Sequence, residues 1–252
     1  MHPGWLAAVG GAGLIGGFVN TLAGGGSMVM VPTLMLAGLP ADVANGTSRL
    51  PIFAQCGTSA ATFARAGRLE RGPALDVAPL MIVGALAGSF AATLVPNRVF
   101  QPLLLGTMIV MALGMLLSPG ALAPPPGTEP RRVMGRPLAM LLTLATGFYG
   151  GILQAGAGFL ILALLGGALR YDLVRANALK AVVMLAYIVV TVAVFAARGK
   201  VAWAAAVAMT VGAVVGAWIG AHLAMRRGQG LIRWIVIGMV IVSCVVVFVR
   251  SR

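Results

Sequence analysis

The sequence NTLAGGGSMVMVP, residues 20–32, interrupts an apolar region that otherwise has the composition of a membrane helix. Its three consecutive glycines, Gly24 to Gly26, lack Cβ atoms, so helix propensity falls there and positive φ angles become accessible. Because lipid cannot hydrogen-bond the released peptide groups, such a break is stable only inside protein or beside a water-filled cavity. The helix that follows directs free N–H groups and a positive dipole end at the gap, which favours an anion. The alternative is that the glycines only allow close helix packing.

The composition of the chain is that of a polytopic helical membrane protein. Of its 252 residues, 60% are hydrophobic and 9% charged, and the mean hydropathy is +1.01. Lys and Arg number 18 against 5 Asp and Glu. These basic residues lie singly or in pairs between apolar runs, without the interleaved aromatic residues of a nucleic-acid surface, so we expect no nucleic-acid partner. The excess suits the positive-inside bias, with the lipid bilayer and a small anion as partners.

The residues that most often hold metals or carry out covalent chemistry form no constellation. Cys56 and Cys244 both lie in apolar segments, and His2 and His222 are far apart, so neither a disulfide framework nor a metal site is expected. A nucleotide-binding loop and a Ser/His/Asp arrangement are also lacking in the sequence. We therefore expect no cofactor, no ATP-driven step and no enzyme activity. The N-terminus has no basic region before the first apolar run, which indicates a retained first helix rather than a signal peptide.

Ten apolar segments fall into two groups of five. The first group lies at about 5–22, 26–37, 45–64, 73–95 and 99–118, and the second at about 137–154, 158–169, 177–197, 201–225 and 231–249. The intervening stretch contains three consecutive prolines and two adjacent arginines, as surface linkers do. We predict a first transmembrane repeat at 1–118, a Pro-rich linker at 119–136 and a second transmembrane repeat at 137–252.

A shift of 132 positions aligns the two groups. Of the 11 glycines between residues 24 and 110, six then meet another glycine, whereas composition alone predicts about 1.5. Asn45 meets Asn177, although the chain has only four asparagines, and Arg68 meets Lys200. These coincidences indicate an internal duplication.

The orientation of the halves follows from length and charge. Residues 5–37 as one helix would measure about 50 Å, against a hydrocarbon core of about 30 Å, so this region contains two pieces. Two crossings or a re-entrant hairpin would each give inverted halves, whereas one bent crossing would give parallel halves. Inversion assigns Lys and Arg to the two faces as 12 against 6, and the parallel arrangement as 10 against 8. The positive-inside rule therefore favours inversion. The predicted fold is an all-α membrane protein of two inverted repeats, each of about four to five hydrophobic segments, with glycine-broken helices.

The two breaks supply the first candidate binding residues. The second break, LQAGAGF at residues 153–159, has Gln154 where the first has Asn20 and Thr21. Inverted repeats with interrupted helices place their binding sites near the bilayer midplane, at the interface between the repeats. The polar side chains either satisfy freed backbone groups or contact a substrate, and Ser27 either caps the next helix or donates to an oxyanion. The candidates here are Asn20, Thr21, Gly24, Gly25, Gly26, Ser27, Gln154, Gly156 and Gly158.

A second constellation repeats in both halves. Arg49 and Lys180 each follow an asparagine by about one helical turn, and Thr47 and Ser48 add hydroxyl groups. Each cation either extends to the membrane interface or faces an interior cavity. Asparagine and hydroxyl donors with a guanidinium fork suit a sulfonate or carboxylate. The candidates here are Asn45, Thr47, Ser48, Arg49, Asn177 and Lys180.

Three further features bear on the site. Gln55 and Tyr187 occupy equivalent positions about two turns further on, where they complete the site or link helices. The small-residue pairs at Gly84 and Gly88, and at Gly216 and Gly220, are typical of close helix packing. All five acidic residues lie in loops or at segment ends, so the sequence gives no sign of a mid-membrane carboxylate proton relay.

Gly24-Gly25-Gly26, Val31-Pro32 and Asn45-Gly46-Thr47-Ser48 resemble motifs of the TauE/SafE sulfite exporter family of bacterial inner-membrane transporters. The resemblance covers nearly the whole chain. It implies a multi-pass protein of the bacterial inner membrane that exports sulfite, an organosulfonate or a related small anion without ATP. The second half departs from the pattern: Gly156-Ala157-Gly158 replaces the triple glycine, Leu164 stands at the position of Pro32, and Leu179-Lys180 replaces Thr47-Ser48.

The residues and the resemblance together predict a secondary transporter, and an exporter by family, for a small sulfur-containing anion. A passive anion channel and a non-transporting membrane scaffold are the alternatives. The sequence leaves the anion, its direction, the coupling ion and the oligomeric state open, with a homo-oligomer among the options.

Overall fold

A computed structural model describes the backbone of residues 3–69, 71–117 and 128–250, and the side chains of residues 4–69, 72–114 and 128–226. These ranges are helical almost throughout and contain no strand. The helices are α1 Pro3–Ala23, α2 Ser27–Leu36, α3 Ala41–Thr47, α4 Arg49–Arg65, α5 Arg71–Leu94, α6 Asn97–Leu117, α7 Pro137–Ile152, α8 Ala157–Leu162 with a π-helical continuation Ala163–Ala168, α9 Leu173–Ala197 and α10 Trp203–Arg250. Glu70 and the first half of the predicted linker, residues 119–127, lie outside the described residues.

Five of the described helices are long and apolar enough to cross a membrane. These candidate spans are Gly4–Ala23, Gly72–Leu94, Asn97–Gly114, Leu173–Ala197 and Trp203–Arg226. Three shorter apolar helices, Ser27–Leu36, Pro137–Ile152 and Ala157–Ala168, accompany them. The chain is therefore a multi-pass membrane protein, and the two shortest of these helices follow the two glycine-rich stretches.

Two parallel helix pairs form the flanks of the bundle. α1 packs on the first part of α10, where Gly13 faces Met209 and Gly17 faces Ala213. The residue numbers rise together in the two helices, so the helices are parallel. At Gly216 a Cβ atom would collide with the carbonyl oxygen of Leu14. The absence of side chains thus lets the two backbones approach closely, as predicted for the small-residue pairs.

α5 and α7 form the second pair with the same geometry. A Cβ atom on Gly84 would collide with the carbonyl oxygen of Leu144, and one on Gly88 with that of Phe148. The residue order again ascends in both helices, so α5 and α7 are parallel and begin at the same end of the bundle. Each pair joins the first helix of one half to a helix of the other half.

α4 and α9 lie antiparallel between these pairs. The side chain of Asn177, near the start of α9, contacts the end of α1, where Ser59 of α4 also hydrogen-bonds to Thr21. Phe195, near the other end of α9, instead lies against Gly46 of α3. α3 and α4 are separated at Ser48 because Pro51 has no N–H group to donate to the Thr47 carbonyl.

The last helix differs from the sequence prediction. Segments 201–225 and 231–249 were expected to be separate, but α10 continues without interruption from Trp203 to Arg250. In the first half, α5 ends at Leu94 and Pro96 lies in the connection to α6. Proline disfavours a helical conformation at the residue before it, so the two helices are separated there. Gly228 stands at the corresponding position of the second half, and glycine lowers helix propensity without removing the N–H group.

Candidate functional site

The two glycine-rich stretches meet inside the bundle. α1 ends at Ala23 and α2 begins at Ser27, and Gly24 between them has a φ angle of +78°. In the second half Gln154 and Gly156 have φ angles of 56° and 72°. A Cβ atom on Gly24 would collide with the backbone of Gly158, so the two stretches are in direct backbone contact. Glycine is required at position 24 for both its left-handed conformation and this contact.

Ser27 links the two stretches by side-chain hydrogen bonds. Its hydroxyl donates to the carbonyl oxygen of Gln154 and accepts from the N–H group of Gly156, both at 3.1 Å. Gly26 is the residue that precedes α2, and the helix start has no side-chain cap. The capping role considered for Ser27 is therefore wrong, because its hydroxyl satisfies backbone groups of the other half.

Arg49 caps the C-terminal end of α7. Its guanidinium donates to the carbonyl oxygens of Gly150 at 3.2 Å and Gly151 at 2.6 Å. These carbonyls are at a helix C-terminus, where they lack helical partners and carry partial negative charge. The side chain is fully buried and Phe195 stacks on it, with Cζ 4.3 Å from the ring centroid. Arg49 therefore faces the interior rather than the membrane interface.

Lys180 occupies the reciprocal position at the end of α1. Its Nζ donates to the carbonyl oxygens of Asn20 at 2.6 Å and Thr21 at 3.1 Å, and to Oδ1 of Asn177 at 2.8 Å. Three acceptors match the three protons of an ammonium group. Lys180 is also buried. Each half of the chain thus supplies a buried cation that caps the C-terminal end of the first helix of the other half.

The two asparagines repeat this reciprocity. Asn45 donates through Nδ2 to the carbonyl oxygen of Ile152 at 3.0 Å, and Asn177 contacts that of Leu22 at 3.5 Å. The hydroxyls of Thr47 and Ser48 serve the backbone instead: Thr47 accepts from the N–H group of Ala202, and Ser48 donates to the Asn45 carbonyl. The structure thus brings the asparagines and cations to the breaks and directs these two hydroxyls to backbone groups.

Several buried polar atoms around the breaks have no hydrogen-bond partner among the described residues. These atoms are Asn45 Oδ1, Arg49 Nε, Gln154 Nε2 and both amide atoms of Gln55. Gln154 contacts Arg49 Nη1 at 3.5 Å and the Tyr187 hydroxyl at 3.4 Å through Oε1, which leaves its NH₂ group free. Unpaired buried donors are costly unless a ligand or water satisfies them.

No carboxylate among the described residues neutralises the two buried cations. Asp42 forms an ion pair with Lys200, and Asp172 caps the start of α9 through the N–H groups of Val174 and Arg175. The partial charges of two helix ends offset only part of the charge on Arg49 and Lys180. The cluster is consequently electropositive, and it contains three unpaired donors and two unpaired acceptors among the described residues.

The polar cluster is shielded from solvent. Asn20, Thr21, Ser27, Asn45, Gln154, Asn177 and the two cations are each less than 5% exposed, and the glycines of both breaks are buried. Phe195 and Ser59 also contribute to the cluster, although the sequence alone did not single them out. A Phe or a Ser within an apolar helical run looks like an ordinary packing residue, so the sequence contains no feature that marks either as part of a polar site.

A multi-pass α-helical protein in which two glycine-rich stretches between helices meet at a buried polar cluster is compatible with a membrane transporter. The chain belongs to the family described as Sulfite exporter TauE/SafE, whose sequence model matches residues 9–247. This match confirms the resemblance seen at the triple glycine and the Asn-Gly-Thr-Ser sequence.

Relatives from several bacteria align with most of the chain. Probable membrane transporter protein ORF9 of Sinorhizobium sp is 28% identical over 224 residues, which is 88% of this chain and 84% of the relative. Probable membrane transporter protein YfcA of Escherichia coli (strain K12) is 28% identical over 234 residues, covering 92% and 84%. A probable membrane transporter protein of Haemophilus influenzae is 25% identical over 229 residues, covering 90% and 88%. The family and these names indicate a membrane transporter rather than an enzyme.

Proposed function

We propose that the protein is a secondary transporter, working as an exporter, for a small sulfur-containing anion such as sulfite or an organosulfonate. One observation carries the proposal: Arg49 and Lys180 are buried around the meeting point of the two interrupted helices without a carboxylate partner among the described residues. Removing one ion from water costs about several kcal/mol of desolvation free energy unless other groups compensate its charge. A bound anion would supply that compensation.

The unpaired donors favour an oxyanion as the substrate. Arg49 Nε, Gln154 Nε2 and Gln55 Nε2 are N–H donors without acceptors among the described residues. The oxygens of sulfite or a sulfonate would accept hydrogen bonds from such donors, and an arginine fork matches two oxygens of one group. The sulfur-containing cargo and the outward direction are taken from the family description rather than from the geometry.

The transport cycle we propose uses two inverted repeats related by the reciprocal contacts. Arg49 contacts the end of α7 and Lys180 the end of α1, while α1 pairs with α10 as α7 pairs with α5. α4 runs away from the end of α7, and α9 runs away from the end of α1, which supports opposite orientations of the halves. Rocking of one repeat against the other would expose the shielded site alternately to either side. The bacterial inner membrane is the proposed location, by family.

The test is transport by the purified protein in liposomes loaded with labelled sulfite or sulfoacetate. We expect saturable counterflow that Arg49→Gln abolishes and that Arg198→Gln, an exposed charge change at the end of α9, leaves unchanged. Single-channel currents far above carrier turnover would favour a passive channel instead. Failure to move sulfite, sulfonates, carboxylates or phosphate would favour a membrane scaffold.

A further inference from the structure

A cluster of three arginines lies at the start of α7, separate from the buried polar cluster. Arg131 and Arg136 belong to the segment before α7, and Arg170 belongs to the turn between the π-helix and α9. Together they line an open cavity of about 500 Å³ that also includes Leu138 and Leu142. The cavity therefore joins a strongly basic mouth to an apolar helix face.

The backbone holds two of these arginines in place. The N–H group of Arg131 donates to the carbonyl oxygen of Leu169 at 2.8 Å, which fastens the segment before α7 to the end of the π-helix. Arg170 has a φ angle of +63°, a left-handed conformation that is uncommon for a residue with a side chain. Such strain persists only where the surrounding structure fixes it, and it often marks a functional position.

The charges of this cluster have no counter-ion within the described part of the chain. None of Arg131, Arg136 and Arg170 forms an ion pair or a side-chain hydrogen bond with a described residue. Desolvation, together with the neighbouring charges of Arg170 and Arg136, lowers the pKa of Arg131 from its ordinary value. Three like charges beside one another give the mouth of the cavity a positive potential that attracts anions.

The apolar side of the cavity favours one kind of anion over another. Leu138 is 69% exposed and Leu142 is 42% exposed, one turn apart on α7. α7 extends from the arginines into the bundle beside α5, so this exposed stripe leads from the basic mouth toward the membrane interior. A soluble phosphate needs no such stripe, whereas a phospholipid has a charged headgroup and an acyl chain in this order.

We propose that Arg131, Arg136 and Arg170 bind the phosphate headgroup of an anionic phospholipid, with an acyl chain along Leu138 and Leu142. The site would tie the segment before α7 to the turn before α9 through a lipid. Neither the family description nor the substrate proposal requires it, since the cavity is lined by different residues from the buried polar cluster.

The test compares lipids on the purified full-length chain. Native mass spectrometry and thermal unfolding are measured with phosphatidylglycerol, with phosphatidylcholine, and with inorganic phosphate or sulfite alone. We expect phosphatidylglycerol to bind and stabilise more than phosphatidylcholine. Each of Arg131→Gln and Arg136→Gln should weaken this preference by about fivefold, the contribution of one arginine near an anionic surface.

Arg68→Gln is the matched control, because Arg68 is exposed and lies just before α5, which begins at the same end of the bundle as α7. It changes the net charge equally but should retain the lipid preference. An equal loss in the control, equal binding of both lipids, or full stabilisation by inorganic phosphate or sulfite would each overturn the proposal. Unchanged anion transport in Arg131→Gln separates this result from failure of the proposed function.

Discussion

The guanidinium of Arg49 donates to the carbonyl oxygen of Gly151 at 2.6 Å, so a cation of the first half caps the C-terminal end of α7 in the second half. Lys180 and Asn20 form the reverse contact, also at 2.6 Å. An incoming anion would compete with these carbonyls for the same cations. In the proposed transport cycle, binding would thereby loosen the junction between the halves and link anion binding to rocking of one repeat against the other.

The first prediction concerns the guanidinium fork of Arg49. Arg49→Lys retains the charge but loses the planar fork, the free Nε donor and the stacking on Phe195. We expect the dissociation constant for the transported anion to rise about tenfold, corresponding to about 1.4 kcal/mol. Anion-dependent thermal shifts measure this, with Arg98→Lys at the exposed start of α6 as the control. An unchanged constant would remove Arg49 from the site.

The second prediction concerns the ammonium group of Lys180. Lys180→Met leaves the carbonyls of Asn20 and Thr21 without this donor, which should lower the free energy of unfolding by about 1–3 kcal/mol. It should also abolish transport in liposomes. Lys180→Arg is expected to restore part of the stability and part of the transport. Full activity of the methionine variant would show that the charge serves no substrate.

The helices could largely be predicted from hydrophobic patterns, because lipid imposes long apolar runs with few exceptions. The predicted segment 73–95 corresponds to Arg71–Leu94, and 177–197 to Leu173–Ala197. The continuation of α10 through Gly228 could not be predicted, since glycine at a connection permits either a turn or a helix. The π-helix Ala163–Ala168 has no local sequence signature either.

The burial of the candidate side chains could be anticipated only in part. The repeat brought Asn45 and Asn177 into correspondence, and both contact the ends of opposite helices. Whether Arg49 and Lys180 extend to the interface or face inward depends on which helix end lies opposite, a tertiary contact that spacing does not encode. The meeting of Gly24 with Gly158 likewise required the folded arrangement.

The third prediction concerns Gly24. Gly24→Ala places a side chain in a left-handed conformation and against the backbone of Gly158, so we expect a loss of more than about 2 kcal/mol. Gly106→Ala is the control, because a Cβ atom there meets nothing within 4 Å inside α6. This control should be neutral or stabilising by about 0.5–1 kcal/mol. Thermal unfolding in detergent distinguishes the two, and equal melting temperatures would contradict the tight junction.

The fourth prediction concerns the ion pair between Asp42 and Lys200. It fastens α3 to the turn before α10, where Thr47 also accepts a hydrogen bond from the N–H group of Ala202 at 2.9 Å. Asp42→Asn should accelerate amide exchange at Ala202 by about threefold to tenfold, in keeping with a partly exposed pair. Hydrogen-exchange mass spectrometry measures this.

Asp76→Asn serves as the control for that experiment, because Asp76 forms no ion pair with a described residue. Exchange at Ala202 should be unaffected in this variant. If both variants accelerate it equally, the effect is one of overall charge and the ion pair does not hold this end closed.

The last prediction separates a binding role from a structural one at Gln55. Both atoms of its amide group are buried without a partner among the described residues, one turn before Ser59 on α4. Gln55→Leu removes this unsatisfied group, so the ligand-free protein should gain about 1–3 kcal/mol of stability. If the amide binds the anion, the same variant should show a smaller anion-dependent thermal shift and slower transport.

Ser89→Ala is the matched control, since the Ser89 hydroxyl is buried but already donates to the Leu86 carbonyl at 2.9 Å. It should lose stability slightly and keep the anion-dependent shift. A structural hydrogen bond at Gln55 would instead make Gln55→Leu less stable with an unchanged shift. The two interpretations therefore predict opposite signs for the change in stability, because a satisfied buried amide stabilises the fold and an unsatisfied one destabilises it until a ligand arrives.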